Sequence, residues 1–430
     1  MIAAYRSGPL SVSAFRLLCL GQLTSTVGDY CYAIALPWLV LPHRGSVTAL
    51  GIVLACYGVP RALLTLPGGW LADRFGPRPV MLASDAGRCA LTVLLTVLLA
   101  VLAAAGQAPL PILAPVAAAL GACSALFLPA SLALMPSLID NDGLIAANAL
   151  YTSFVQVGSM LGPMIGGILV TATGPPAAFA VDSASYLVSA ASLALIGRAA
   201  ARRGPPGPAP PAPVPSAAVT PAAALGTWAL LRTEPLLRVI LVVSVGANVA
   251  ITGTTEVTLP ALTHGRYGAA GFGAALTGMA VMSVIGALGV AWLGERVVRA
   301  ALIAGAFQVA AVAIAVAPFL GGLPGLVACL GVCGLALGFD NAVWGTLIQR
   351  WAPPGQLGRV WGVLMLASVG TFPLSTLLAA TLTRHLGPAP VFPIVGGLLA
   401  VSYLFGLSQR GFRELGHPRA AEPGSRAGQG

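Results

Sequence analysis

Asp29 is the side chain with the clearest chemical role to assign. It lies inside a long apolar run, and Gln22 and Thr26 precede it by seven and three positions. That spacing puts all three on one helical face. A carboxyl at such depth can exchange protons, hold a cation, or pair with a fixed opposite charge. Arg61 follows Pro60 in the next apolar run and is the partner within reach. At about 1.5 Å per residue, Asp29 and Arg61 lie ~24 Å and ~17 Å from the same membrane face. Two readings of the polar face stand side by side: proton or cation chemistry in a cavity, and a structural Asp29–Arg61 pair.

Further candidates are spread through the chain. Asn248, Thr252 and Thr255 share a face, with Glu256 toward the outer end of its segment as an outer-gate or solvated residue. Asp340, Asn341 and Trp344 form a polar–aromatic cluster, offering a second titrating site or a helix-packing hydrogen bond. Asp182 falls near the outer end of its segment, in water. Asp85 and Arg88, three apart, are assigned to a charge cluster at the inner face beside Asp73 and Arg78. The seven cysteines sit in apolar segments without zinc-ligand spacing, which suggests packing. No phosphate loop, metal cluster or nucleophile–base set is present, so the expectation is no enzyme and no cofactor, with a proton gradient as energy source.

The elements that must position these residues are membrane helices. The 430 residues are 57 % hydrophobic and 8 % charged, with a mean hydropathy of +0.90. Soluble domains carry about 25 % charged residues, and a bilayer span needs about 20 apolar ones. Twelve apolar segments are expected, at roughly 13–41, 47–72, 79–104, 109–135, 144–172, 177–197, 236–262, 269–293, 298–319, 323–349, 358–384 and 388–408. The first is too long, and too interrupted by polar residues, for a cleavable signal peptide. A Pro/Ala-rich stretch, 198–235, divides them six and six and reads as a linker without a fold. Residues 1–197 and 236–409 are then two six-helix bundles, and 410–430 a disordered tail.

The net charge of +10 comes from arginine alone, since the chain has no lysine. With a cytosolic N-terminus, eighteen arginines fall on inner loops and ends and three on outer loops. That asymmetry sets a topology with both termini cytosolic and makes nucleic acid an unnecessary partner. The expected partners are the lipid bilayer and a small molecule, for a monomer in a bacterial-type inner membrane.

Between the second and third segments stands Gly69-Trp70-Leu71-Ala72-Asp73-Arg74-Phe75-Gly76, followed by Pro77 and Arg78. Gly76 suits a turn with positive φ, Asp73 suits a helix N-terminus, and the arginines suit acidic groups or lipid. The stretch resembles the signature loop of the major facilitator superfamily, Gly-x-Leu-Ala-Asp-Arg-x-Gly-Arg-Arg/Lys. Pro77 departs from that pattern, while Arg78 keeps the second basic position. Trp292-Leu293-Gly294-Glu295-Arg296 repeats the turn in the second half. The resemblance implies an all-α integral membrane fold, two six-helix bundles related by a pseudo-two-fold axis around a midplane site. It also implies that Asp73 latches the first half to segment eleven when the cavity faces outward.

In segment five, Gly158-x-x-x-Gly162-Pro163-x-x-Gly166-Gly167 resembles the pattern of proton-coupled exporters in this superfamily, although Ala149 stands near the place of an earlier glycine. The same glycines also read as a packing seam. Phe15–Tyr30, Ala35–Leu39, Pro60-Arg61 and Pro353–Gly362 resemble the enterobactin-exporter-like and multidrug efflux branch. Segment four lacks the arginine that many drug/proton antiporters carry there, which moves the coupling role to Asp29, Asp340 or Glu256. The resemblance therefore implies export of a small amphipathic molecule (drug, antibiotic or siderophore) by proton antiport. A nutrient symporter on the same fold and a non-transporting membrane sensor are the alternatives.

Overall fold

The computed structural model describes residues 8–42, 46–103, 110–139, 143–203, 234–351 and 357–413. Twelve helices carry the fold. In the first half they are α1 (Ser13–Val40), α2 (Ser46–Phe75), α3 (Pro77–Ala103), α4 (Leu110–Leu134), α5 (Leu144–Thr173) and α6 (Pro175–Arg203). In the second half, α7 runs from Pro235 to Gly253, widens into a π-turn at Thr254–Thr258 and resumes over Leu259–Arg266. There follow α8 (Gly268–Leu293), α9 (Ala300–Val316), α10 (Gly322–Trp351), α11 (Leu357–Leu386) and α12 (Pro388–Ser408).

Apolar runs of this length must satisfy their own backbone in lipid, and a helix does so within one segment. Among the described residues ten helices are long and apolar enough to cross a membrane. The two that complete the twelve are α9, which is shorter, and α1, which carries Arg16, Gln22, Thr24, Ser25, Thr26 and Asp29. A helix with a polar face thus supplies the central carboxyl. Helix ends are abrupt. Gly76 and Gly174 take φ of +85° and +84° and reverse the chain, and Pro77 and Pro175 open the next helix where no amide is needed.

The two halves pack alike. In the first, α1 lies against α5 and α6, α2 against α4, and α3 against α6. In the second, α7 lies against α11 and α12, α8 against α10, and α9 against α12. The halves meet along α2–α11 and α5–α8, pairs that interchange when each helix is renumbered by six. This is the pseudo-two-fold repeat expected of two six-helix bundles. Close approach rests on small residues. A Cβ at Gly68 would stand 2.9 Å from the Ala125 carbonyl, and one at Gly158 2.8 Å from the Thr26 Cβ.

Contacts between the halves gather at the end opposite the Gly69–Gly76 loop. There the Ala270 amide donates to Thr171 Oγ1 (3.1 Å), Trp38 stacks on Phe272 (5.7 Å), and Tyr57 meets Phe372 edge-on (6.2 Å). At the loop end, Trp70, Asp73, Arg74, Phe75 and Trp292 are exposed.

Two boundaries differ from the sequence expectation. Helix α6 continues to Arg203, so 198–203 is helical, and the Pro-rich part of the linker lies outside the described residues. Arg410–Arg413 forms a further helical turn whose Phe412 is fully buried, edge-on to Trp344 at 5.7 Å. An aromatic anchor there docks the chain against α10, so unfolded chain cannot begin at 410. The remainder of the expected tail lies outside the described residues.

Candidate functional site

Helix α1 splits its polar face between two neighbours. Gln22 Nε2 donates to Thr26 Oγ1 (3.2 Å), and Tyr151 on α5 donates to Gln22 Oε1 (2.9 Å). Thr26 is buried against Gly158. Gln22 and Thr26 therefore satisfy each other and Tyr151 inside the α1–α5 seam, and neither lines the central cavities. That corrects the expectation that the whole stripe faces a cavity. One turn further on, Asp29 turns toward α3 and α6.

Asp29 joins a charge cluster inside the first half. Tyr186 of α6 donates to Asp29 Oδ1 (2.6 Å), and Arg88 Nη1 of α3 lies 3.8 Å from the same oxygen. Arg88 Nη2 also donates to Asp85, one turn earlier on α3. The guanidinium is held between two rings, 4.4 Å from the Tyr186 centroid and 4.5 Å from that of Phe127. Asp182 completes the group. Its carboxylate fits over Gly28 of α1, where a Cβ would meet Oδ1 at 2.9 Å, and neither oxygen has a hydrogen-bond partner. Arg88 is 4 % exposed, Asp182 1 % and Asp85 0 %, whereas the Asp29 side chain is 46 % exposed and opens into the cavity.

Three expectations are corrected here. The partner of Asp29 is Arg88, and Arg61 instead lies over the ring of Tyr57 on its own helix (5.7 Å). Asp85 and Arg88 are not at the inner face with Asp73, because helical continuation from Pro77 carries them two to three turns into the bundle. Asp182 is not in water, since α6 begins at Pro175 and two turns bury it against α1. Tyr186 and Phe127 went unnoticed in the sequence. The usable signal was the pairing of Asp182 with Tyr186 at i,i+4 and of Asp85 with Arg88 at i,i+3, both within apolar spans.

The cluster opens on a central cavity of about 300 Å3, lined by Asp29, Arg61, Asp182 and Glu256 together with Tyr30, Tyr32, Tyr57, Tyr186 and Phe372. A second cavity of about 250 Å3 adjoins it at Tyr30, Ala33 and Glu256 and extends between α5, α8 and α10. Glu256 is the middle residue of the π-turn and faces both cavities. Its place is central, which corrects the reading of it as an outer, solvated residue.

The other candidates serve packing. Asn248 donates to the Ser244 carbonyl and accepts from Ser368 of α11 (3.0 Å). Asp340 accepts from Tyr403 of α12 (3.3 Å), whose ring stacks on Phe307 at 4.2 Å, so it belongs to the α10–α12 seam and lines neither cavity. In α5, Gly158, Gly162 and Gly166 receive Thr26, Tyr30 and Cys31 of α1. Gly167 and Pro163 instead face Gly273 of α8 in the other half. The signature stretch expected as a turn is helical to Phe75, with the reversal at Gly76 alone; in it Gly69 packs near Pro129, Asp73 is exposed, and Arg74 covers the rings of Trp70 and Phe75. Arg78 turns inward to donate to the carbonyls of Leu193 (2.7 Å) and Ala194 (3.3 Å) on α6, across the bare face of Gly197.

Comparison with known proteins agrees with this architecture. The chain is 27 % identical over 395 residues to the multidrug efflux pump Tap of Mycobacterium tuberculosis, covering 90 % of this chain and 92 % of that one. It is 26 % identical over 403 residues to the enterobactin exporter EntS of Salmonella typhimurium, covering 91 % of each. In fold it resembles a bacterial homologue of the iron transporter ferroportin in an inward-facing state, with a TM-score of 0.70, 17 % identity and coverage of 94 % and 99 %. A POT family transporter in complex with a thioalcohol-conjugated peptide gives 0.72, 13 %, and 92 % and 95 %. The model for the Major Facilitator Superfamily matches residues 18–320, and with twelve helices in two matching halves around a central cavity, the chain belongs to that superfamily and is a multi-pass membrane transporter rather than an enzyme.

Proposed function

We propose that this protein exports small amphipathic molecules from the cytosol by proton antiport, with Asp29 as the coupling carboxyl. The single observation that carries the coupling is the charge count. Asp29 and Asp85 both pair with one guanidinium, Arg88, and Asp182 stands in the same cluster without a hydrogen-bond partner, with Asp85 and Asp182 buried from solvent. Three carboxylates against one fixed cation are neutral only with two protons, and unbalanced charge in a membrane bundle is costly. Asp29 is the member open to the cavity, so it exchanges protons with solvent while Arg88 stays paired to Asp85.

In this mechanism a proton arriving at Asp29 removes its attraction to Arg88, and Tyr186 keeps the neutral carboxyl placed. Loss of the proton restores the pair. The two states of Asp29 thus bias the packing of α1 against α3 and α6, and a rocking of the halves converts that bias into alternating access. The arginine asymmetry supports a cytosolic Gly69–Gly76 loop and cytosolic termini. The closed opposite end and the exposed loop end then correspond to an inward-facing state, in which Asp73 awaits its partner. The names of the relatives, a multidrug pump and a siderophore exporter, support outward transport of organic molecules. The protein works as a monomer in a bacterial-type inner membrane, its cavity reached from the cytosol.

Everted membrane vesicles test the reading. An imposed inward-acid gradient should drive uptake of a fluorescent amphipath such as ethidium, with proton efflux measured in parallel. Asp29→Asn should abolish the coupled proton flux at normal membrane abundance. Uptake in right-side-out vesicles only, or flux indifferent to the gradient, refutes proton-driven export.

A further inference from the structure

Glu256 is placed unlike any other acid among the described residues. It is the centre of the π-turn Thr254–Thr258, and π-turns break the regular register of a helix at functional sites. It lines both cavities, standing where they join beside Tyr30 and Ala33. Among the described residues it has neither a salt bridge nor a hydrogen-bond donor. The two ion pairs both involve Arg88, and Arg61 rests on Tyr57. A carboxylate kept free at the centre of a membrane bundle is expensive unless a ligand completes it.

The two cavities differ in chemistry. The first offers five aromatic rings, Tyr30, Tyr32, Tyr57, Tyr186 and Phe372, around its charges. The second has no charged side chain besides Glu256 and is lined by small polar groups with Phe272, Leu276, Met279 and Leu337. Aromatic faces attract cations, and apolar walls suit a hydrophobic body. Arg88 is held by Asp85 and Asp29 inside the first half, so Arg61 is the cation on the cavity wall, and the wall carries more carboxyl groups than guanidinium groups.

We infer that Glu256 is the recognition carboxylate for a singly charged lipophilic cation that spans both cavities, separate from the Asp29–Arg88 cluster. The inference rests on the export reading for its physiological direction, but binding itself does not require coupling. The cationic centre sits at the junction against Glu256 and Tyr30, one apolar arm lies among the tyrosines, and another lies along Phe272 and Met279. Anions of the same shape are excluded by the same carboxylate.

Equilibrium binding of radiolabelled tetraphenylphosphonium to the purified full-length protein tests this, with tetraphenylborate as the anion of matching shape. Wild type should bind the cation and reject the anion. Glu256→Gln should weaken cation binding by about tenfold or more, Glu256→Asp should recover most of it, and Asp340→Asn, outside both cavities, should leave it unchanged. Cation binding by Glu256→Gln within about twofold of wild type overturns the inference. So does wild type that fails to bind tetraphenylphosphonium or binds tetraphenylborate equally well, a result independent of how any variant folds. Intact cation selectivity without proton-coupled flux in vesicles would sink the export reading alone.

Discussion

Removing the Arg88 side chain is the most informative perturbation. Arg88 is 4 % exposed, its bond to Asp85 joins it to a carboxylate with no solvent contact, and two rings cover its faces at 4.4 and 4.5 Å. Arg88→Gln leaves Asp85 as an unpaired buried charge, which costs about 3–5 kcal/mol. The lost ring contacts add ~1–2 kcal/mol. Asp29 contributes ~1 kcal/mol or less, because it is 3.8 Å away and half exposed to the cavity. Asp85→Asn alone leaves the buried guanidinium with only the longer contact to half-exposed Asp29, at a somewhat smaller cost of about 2–4 kcal/mol. The double variant Asp85→Asn/Arg88→Gln places two neutral amides three residues apart on one face and should regain about 2–3 kcal/mol over the sum of the singles. Reversible unfolding of purified protein in detergent, read through tryptophan fluorescence, gives the four corners of this cycle. Additive single and double variants would refute the buried pair, and with it the charge count on which proton coupling rests.

Three further outcomes follow from the packing. Gly273→Val should open the end away from the signature loop, because even a Cβ there overlaps the Pro163 carbonyl; faster thiol labelling of a cysteine placed at Ala270 would report it, and unchanged labelling would show the α5–α8 seam is not a gate. Gly197→Leu should eject the Arg78 guanidinium and lose its two carbonyl bonds, about 1–3 kcal/mol of stability; a neutral effect in the same unfolding assay would mean that Arg78 does not hold α3 to α6. Asp340→Asn should keep flux within about threefold of wild type, since its bond to Tyr403 is a weak one at 3.3 Å, and loss of pH-dependent flux in vesicles would return Asp340 to the coupling machinery.

The twelve helices and their pairing into halves were legible in the sequence. Lipid forces each long apolar run to satisfy its own backbone, so segment count and length are properties of one stretch at a time. The loop at Gly76 and the glycines of α5 were legible for the same reason, since a positive φ or a missing Cβ is local. Asp29 stood out as a carboxyl inside an apolar span, and Glu256 and Asp182 stood out as acids whose depth was misjudged. Their burial depended on the neighbours each helix meets. Helix α6 begins at Pro175, only two residues before the expected boundary, and Asp182 leaves water because it packs over Gly28 of α1.

Partner choice was a different kind of fact. Periodicity put Asp29 on a face but could not say which helix that face meets, and depth along the membrane normal pointed to Arg61, with Arg88 assigned to the inner face. Rotation of α3 about its axis, set by packing against α4 and α6, aims Arg88 at Asp29 between Phe127 and Tyr186. The separation of Glu256 from that cluster depends on both halves meeting across the cavity. What each segment is was therefore written in its own residues, through hydropathy and local backbone geometry. Which charges meet was decided only by the assembled bundle, because Coulomb contact is a matter of distance between helices and a single helix carries no record of its neighbours.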